Sequence, residues 1–149
     1  MLPLLLEACP SFYRDWEDWV RDQYSGDNGL EQLHYCDLGH FASHLVELLE
    51  RGETSEFKEV FRVVENLHLN GDGYVREAAT IGLLEGIQNV ISHGDHTSSE
   101  FEPFLGPETK MWWDKLNEFW EGKPSAERSL GEGLLVWLRG FWKGSGRGI

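Results

Sequence analysis

Apolar side chains recur at intervals of three and four residues along five stretches of the chain, the spacing of amphipathic helices. Segments rich in glycine, asparagine, serine and proline separate these stretches and predict turns between the helices. The predicted helices cover residues 12–24, 37–51, 54–70, 72–93 and 107–122. A further helical turn is expected at residues 99–104. Since no strand-like alternation occurs before residue 122, the pattern predicts an all-α bundle of five to six helices, paired as antiparallel hairpins.

Residues typical of helix ends mark several of these boundaries. Asp37 is the expected N-cap of the second helix, and Gly52 is expected to end it. Asp72 is predicted to cap the fourth helix. Pro107 suits the first position of the fifth helix, because the backbone N–H that proline lacks is not needed there.

The fourth predicted helix, residues 72–93, has the widest apolar face. Its apolar and small residues cover about 180° of a helical wheel, whereas a helix on the surface of a domain needs a stripe of roughly 100°. We therefore expect this helix to be central, with at least two neighbours. Its other side carries the polar residues Glu77, Glu85, Gln88, Asn89 and Ser92. These side chains either form a recognition surface or, for Gln88 and Asn89, satisfy backbone groups in the interior.

Composition and charge narrow the class of protein. The 149 residues suit one domain, and 26 acidic against 13 basic residues give a net charge of −13. This charge argues against binding to nucleic acid or to anionic lipid. No apolar run reaches the roughly 20 residues that span a bilayer, and the N-terminal segment lacks the features of a signal peptide. We therefore expect a cytoplasmic protein in which Cys9 and Cys36 are free thiols.

The C-terminal segment differs from the rest of the chain. Residues 1–122 carry a net charge of −16, whereas residues 123–149 carry +3. The segment is rich in glycine and contains an uninterrupted apolar run, Leu-Leu-Val-Trp-Leu, at residues 134–138. We expect a helical domain at residues 1–122, followed by a basic, aromatic tail that packs on the domain or on a partner, including a second copy of the chain.

Four potential metal ligands lie within eleven residues: His34, Cys36, His40 and His44. Histidines four residues apart on one helix can hold zinc, but Phe41 replaces the glutamate that follows the first histidine in zinc-dependent proteases. A solvated polar helix face, shared with Glu47 and Glu50, explains the same residues. No nucleophile motif or phosphate-binding glycine loop occurs, and no cofactor is predicted.

Two resemblances add to this picture. Residues 71–79, Gly-Asp-Gly-Tyr-Val-Arg-Glu-Ala-Ala, resemble the Asp-x-x-Val-Arg-x-Ala-Ala stretch of HEAT repeats. This likeness implies a short HEAT-like stack, because a solenoid needs at least three repeats and one such stretch is present. Residues 5–10, 44–53, 79–89 and 113–120 resemble a family of small, acidic, all-helical bacterial proteins without assigned activity. The second resemblance covers residues 1–122 and implies a fold but no function.

Three classes of function fit these observations. The leading hypothesis is a non-catalytic protein-binding module, most concretely an immunity-type inhibitor of a bacterial toxin, because a compact acidic protein suits a basic active site. Its predicted contact residues are Glu47, Glu50, Glu77, Glu85, Gln88, Asn89 and Ser92. The second hypothesis is a scaffold that binds or dimerises through the C-terminal tail. The third is a metal-dependent enzyme that uses the histidine and cysteine cluster.

Overall fold

The computed structural model describes residues 1–23 and 30–121, which form helices and short connections. The α-helices are α1 (Leu2–Ala8), α2 (Pro10–Gln23), α3 (Leu30–Glu50), α4 (Phe57–Asn70), α5 (Gly73–Glu77), α6 (Glu85–Ile91) and α7 (Pro107–Glu121). A π-helical segment, Ala78–Leu84, joins α5 to α6, and a 3₁₀ helix, Ser98–Phe104, precedes α7. No β-strand occurs in these two ranges, which confirms the predicted all-α bundle.

The central helix of the bundle consists of α5, the π-helical segment and α6. Its π-helical segment is buried throughout and contacts α3, α4 and α7, while α6 contacts α3 and the 3₁₀ helix. Gly86 allows the close approach of α3, because a Cβ atom at this position would lie 3.2 Å from Ala42 Cβ. The structure thus confirms the central position that the wide apolar face predicted.

Aromatic side chains fix the 3₁₀ helix against the core. Phe101 is fully buried, and its ring stacks on Phe57 of α4 with centroids 5.5 Å apart. The same ring lies 6.1 Å from Trp113 of α7 and 6.0 Å from Phe61. Such pairs contribute about 0.5–1.5 kcal/mol each beyond the area that they bury. The short helix therefore has a fixed position beside α6 and α7.

A buried polar network links α4, the π-helical segment and α7. His68 Nε2 lies 3.0 Å from Thr80 Oγ1, and His68 Nδ1 lies 3.0 Å from the carbonyl oxygen of Val64 and 3.2 Å from Thr109 Oγ1. Burial lowers the pKa of His68 to about 4, so the imidazole is neutral near pH 7. The hydrogen bonds compensate for placing three polar side chains in the interior.

Three of the predicted helix ends have the expected local geometry, at Gly52, Asp72 and Pro107. Gly52 ends α3 with a φ of 72°, and the N–H groups of Gly52 and Glu53 donate to carbonyls of the last turn. Asp72 Oδ1 accepts a hydrogen bond of 2.9 Å from the Val75 N–H. Pro107 occupies the first position of α7.

Two local features differ from the sequence-based expectation. The second predicted helix begins at Leu30 and not at Asp37, which is buried inside α3. Residues 30–36 contain no glycine or proline, so nothing stops the helix from extending towards its N-terminus. The helix α1 is not among those predicted; it packs on α4 and buries Leu5 and Ala8. Cys9, which follows it, is a buried free thiol as expected.

Two predicted segments lie outside the described residues: the loop at 25–29 and the tail at 123–149. The domain boundary at residue 122 and the role of the tail therefore stay predictions. Among the helices of residues 1–23 and 30–121, none is long and apolar enough to cross a membrane.

Candidate functional site

A cavity of about 240 Å³ lies where the end of α6, the following turn, the 3₁₀ helix and α7 meet. Its lining consists mostly of hydroxyl and carboxamide side chains, with one aliphatic and one imidazole group. The lining residues are Gln88, Asn89, Ile91, Ser92, His96, Thr97, Ser98 and Asn117. The lining therefore combines many hydrogen-bonding groups with apolar surface, and His96 is its one ionisable member.

Hydrogen bonds hold the turn and the start of the 3₁₀ helix in place. Thr97 and Glu100 form a capping box, in which the Thr97 N–H donates to Glu100 Oε2 at 3.0 Å. His96 Nδ1 lies 3.0 Å from the same carboxylate oxygen. Phe101, the next residue, is anchored in the core. This wall of the cavity is thus fixed at both ends.

Gln88 is the most buried polar residue of the lining, with 5 % of its surface exposed. Its Nε2 donates to the carbonyl oxygen of Trp113 on α7 at 3.2 Å, which also determines which amide atom is the oxygen. The Gln88 Oε1 atom is buried and has no hydrogen-bond partner among the residues that the structure describes. Leaving a buried acceptor without a donor costs about 1–3 kcal/mol. A ligand that donates a hydrogen bond to this oxygen would recover that cost, and it needs a small movement of the cavity wall because the oxygen has almost no accessible surface.

Glu85 lies one helical turn before Gln88 and Asn89, on the same face of α6. The residue is partly buried, and burial alone raises the pKa of its carboxyl group. Among the side chains that the structure describes, the Glu85 carboxylate finds neither a hydrogen bond nor an ion pair. A negative charge that is partly removed from water and has no counter-charge favours the approach of a cation.

The structure brings together part of the predicted contact surface. Gln88, Asn89 and Ser92 line the cavity, and Asn89 and Ser92 are exposed. Glu50 lies near the turn after α6, since a Cβ atom on Gly94 would be 3.7 Å from Glu50 Oε1. These residues lie around the end of α6, and Glu85, the first residue of α6, lies one helical turn before Gln88.

Two predicted contact residues are not part of this region. Glu47 is exposed on α3, where its carboxylate pairs with Arg51 at 3.4 Å. Glu77 precedes the π-helical segment, eight residues before Glu85, and a helix of that length places it about 12 Å away along the axis. The other lining residues, Ile91, His96, Thr97, Ser98 and Asn117, are not among the predicted contact residues. The Thr-x-x-Glu spacing of Thr97 and Glu100 is the sequence signal that marks a helix start at this wall.

A second polar cluster, at the N-terminus of α2, also escaped prediction. Ser11 Oγ lies 2.9 Å from His44 Nε2 and 2.5 Å from Glu56 Oε2. His44 Nδ1 lies 3.6 Å from Asp15 Oδ2, and the Cys9 thiol donates to Glu56 Oε2 at 3.3 Å. The contacts lead from serine to histidine to aspartate, which is the arrangement found in the catalytic triad of hydrolases.

The hydrogen bonds of Ser11 nevertheless indicate that this cluster caps α2. Glu56 accepts from both the N–H and the hydroxyl of Ser11, so the hydroxyl proton points to the carboxylate and not to His44. Burial acts to raise the pKa of Glu56, but these hydrogen bonds lower it overall. His44 is buried under Phe12, with ring centroids 5.1 Å apart, so the expectation that it lies on a solvated face is wrong. The contact between the Phe12 and His44 rings forms because α2 packs on α3.

The proposed metal ligands are only partly described. His40 packs beside Phe12, with ring centroids 5.3 Å apart, and His44 contacts Ser11. The side chains of His34 and Cys36 lie outside the described residues, so the four-ligand cluster stays a prediction. Among the side chains that the structure does describe, no three histidine, cysteine or acidic groups are arranged to hold a metal ion.

Comparison with known proteins identifies the family but no activity. Residues 2–121 match a family that is described as a domain of unknown function, DUF7674. No curated protein and no solved structure matches the chain. The matched range contains every described helix, and it agrees with the resemblance to an uncharacterised family that the sequence indicated. The chain therefore belongs to the DUF7674 family.

Proposed function

We propose that this protein is a non-catalytic binding module whose partner is a basic protein. The cavity at the end of α6, together with Glu85, forms the contact. The observation that carries this proposal is the pairing of a buried acceptor without a donor, Gln88 Oε1, with a neighbouring carboxylate without a cation. An inhibitor of a bacterial toxin with a basic active site is the form of this function that fits the charge best.

The charge of the helical domain supports a basic partner. Residues 1–23 and 30–121 contain 23 acidic and 8 basic residues, a formal net charge of −15. A field of this sign accelerates encounter with a positively charged surface and disfavours acidic partners. Screening by salt weakens the attraction, since the Debye length is about 8 Å at physiological ionic strength.

The size of the cavity supports recognition of a side chain. Its volume of about 240 Å³ is below the roughly 300–1,000 Å³ typical of small-molecule and cofactor sites. It exceeds the ~150 Å³ of an apolar cavity that accommodates benzene. One side chain of a partner protein therefore fits, and interfaces derive much of their affinity from such anchors.

The test begins with identification of the partner in extracts of the native cell. The full-length chain is immobilised beside two variants: a cavity variant, Asn117→Ala combined with Glu85→Gln, and a control, Glu7→Gln. Glu7 is an exposed glutamate of α1 that does not line the cavity, so the control also loses one negative charge. Proteins that are retained by the wild type and the control but not by the cavity variant are purified for calorimetry.

The proposal predicts a basic protein that binds with a Kd that rises steeply with salt. The affinity should be nearly the same for the wild type and Glu7→Gln and at least tenfold weaker for the cavity variant. A Kd that is unchanged in high salt would contradict the electrostatic part of the proposal. Equal binding by the cavity variant and the control would contradict the proposed contact surface.

A further inference from the structure

We propose that the cavity at the end of α6 receives an arginine side chain of the partner. This inference rests on the proposed function and names the chemical group that the site recognises. It follows from the hydrogen-bonding capacity of the lining, from the neighbouring charge and from the shape of the space available.

The lining offers hydrogen-bond acceptors. Gln88 Oε1 is buried and lacks a donor, while Gln88 Nε2 is occupied by the Trp113 carbonyl. The carboxamides of Asn89 and Asn117 form no hydrogen bond with the side chains that the structure describes, so their oxygens are available as acceptors and their amino groups as donors. The hydroxyl of Ser92 donates to the Asn89 carbonyl at 2.7 Å, and its oxygen also lies 3.3 Å from His93 Nδ1. A ligand with several N–H groups can use the acceptors that stay open on Gln88, Asn89 and Asn117.

Arginine meets this requirement better than the other donor side chains. Its guanidinium group carries five N–H donors and a positive charge, whereas an asparagine or glutamine amide has two N–H donors and no charge to offer to Glu85. The flat guanidinium can also reach several acceptors at once in a small space. A lysine ammonium carries three donors and is more strongly hydrated, so it is costlier to desolvate in a cavity of about 240 Å³.

The charge beside the cavity distinguishes arginine from neutral donors. Glu85 is one turn away from Gln88 on α6, is partly buried and has no cationic partner in the described part of the chain. A guanidinium bound beside Gln88 would bring a positive charge to within about one helical turn of this carboxylate. Glu50, which lies near the turn after α6, adds negative potential on the same side.

The experiment uses full-length protein labelled with ¹⁵N and three capped tripeptides, acetyl-Gly-Xaa-Gly-amide, in which Xaa is arginine, citrulline or lysine. Citrulline has nearly the shape of arginine but no charge, and it replaces one nitrogen by an acceptor oxygen. The side-chain amide resonances of Gln88, Asn89 and Asn117 report binding directly. The arginine peptide is expected to shift all three, with a Kd in the millimolar range and at least fivefold below that of citrulline or lysine.

Variants separate recognition from general attraction. Glu85→Gln should reduce the preference for arginine over citrulline to less than twofold, whereas Glu7→Gln should leave it unchanged. Asn117→Ala should weaken the arginine peptide at least threefold without a change in the backbone spectrum of the core. Equal binding of arginine and citrulline to the wild type, or no shift up to about 50 mM arginine peptide, would overturn the inference.

Failure of this inference can be distinguished from failure of the proposed function. If the arginine peptide does not bind, but the native partner still loses affinity for the Asn117→Ala and Glu85→Gln variant, the cavity binds another group and the arginine assignment is wrong. If the partner binds this variant as tightly as the Glu7→Gln control, the contact surface itself is wrong.

Discussion

The buried histidine of α4 should make the protein lose stability as the pH falls from about 6.5 to about 4. His68 has a pKa of about 4 in the fold, compared with 6.5 in an unfolded chain. The unfolded chain therefore binds a proton that the folded chain excludes over this range, so unfolding becomes easier at low pH. The pKa difference corresponds to about 3 kcal/mol, fully available above pH 6.5 and lost at about pH 4.

Urea unfolding monitored by tryptophan fluorescence at a series of pH values measures this loss. His68→Gln, which does not titrate, should lose about 3 kcal/mol less than the wild type between the two pH values. His93→Gln is the matched control, because it replaces an exposed histidine and leaves His68 in place. Carboxylates also titrate in this range, and their contribution cancels when the pH profile of His68→Gln is subtracted from that of the wild type. Parallel pH profiles for wild type and His68→Gln would refute the assignment of a neutral, buried imidazole.

Three further substitutions test the fold and the site. Gly106→Ala should lower the free energy of unfolding by about 1–2 kcal/mol, because its Cβ would displace the Glu65 carboxylate that caps α7. Gly94→Ala is the control in the same urea titration, because a Cβ atom at Gly94 would make only ordinary van der Waals contacts. Gly39→Ala should raise the free energy of unfolding by up to about 1 kcal/mol, since none of the described residues has an atom within 4 Å of the added methyl group. A loss of stability would contradict the described packing of α3. Glu85→Gln should raise the thermal midpoint at pH 7, because it removes a partly buried charge. The gain should vanish at low pH, where the Glu85 carboxyl group is itself protonated. A lower midpoint at pH 7 would contradict the description of Glu85 as a carboxylate without a counter-ion.

The sequence predicted best those features that depend on neighbouring residues. Glycine at the end of α3, aspartate before α5 and proline at the start of α7 act through local backbone geometry, and all three have the expected roles. The wide apolar face of the central helix also has a local origin, because helical periodicity alone determines which side chains share a face. Its burial among α3, α4 and α7 follows from that pattern.

The site depended on contacts between distant segments and was predicted only in part. Asn117 on α7 meets Ser92 and Thr97 at the cavity because the aromatic core places the 3₁₀ helix beside both α6 and α7. His44 has the spacing of a solvated residue, but α2 covers it. For Gln88 the sequence left two roles open, and the structure combines features of both: its nitrogen satisfies a backbone carbonyl and its oxygen has no partner.

The measurement that tests the proposed binding site most directly is the Kd of the purified native partner for the Glu85→Gln and Asn117→Ala double variant. We predict a loss of at least about tenfold relative to wild type, as expected when an anchoring contact of an interface is removed, with less than a twofold change for Glu7→Gln. A double variant that binds the partner as tightly as the wild type would contradict the assignment of the cavity as the recognition site.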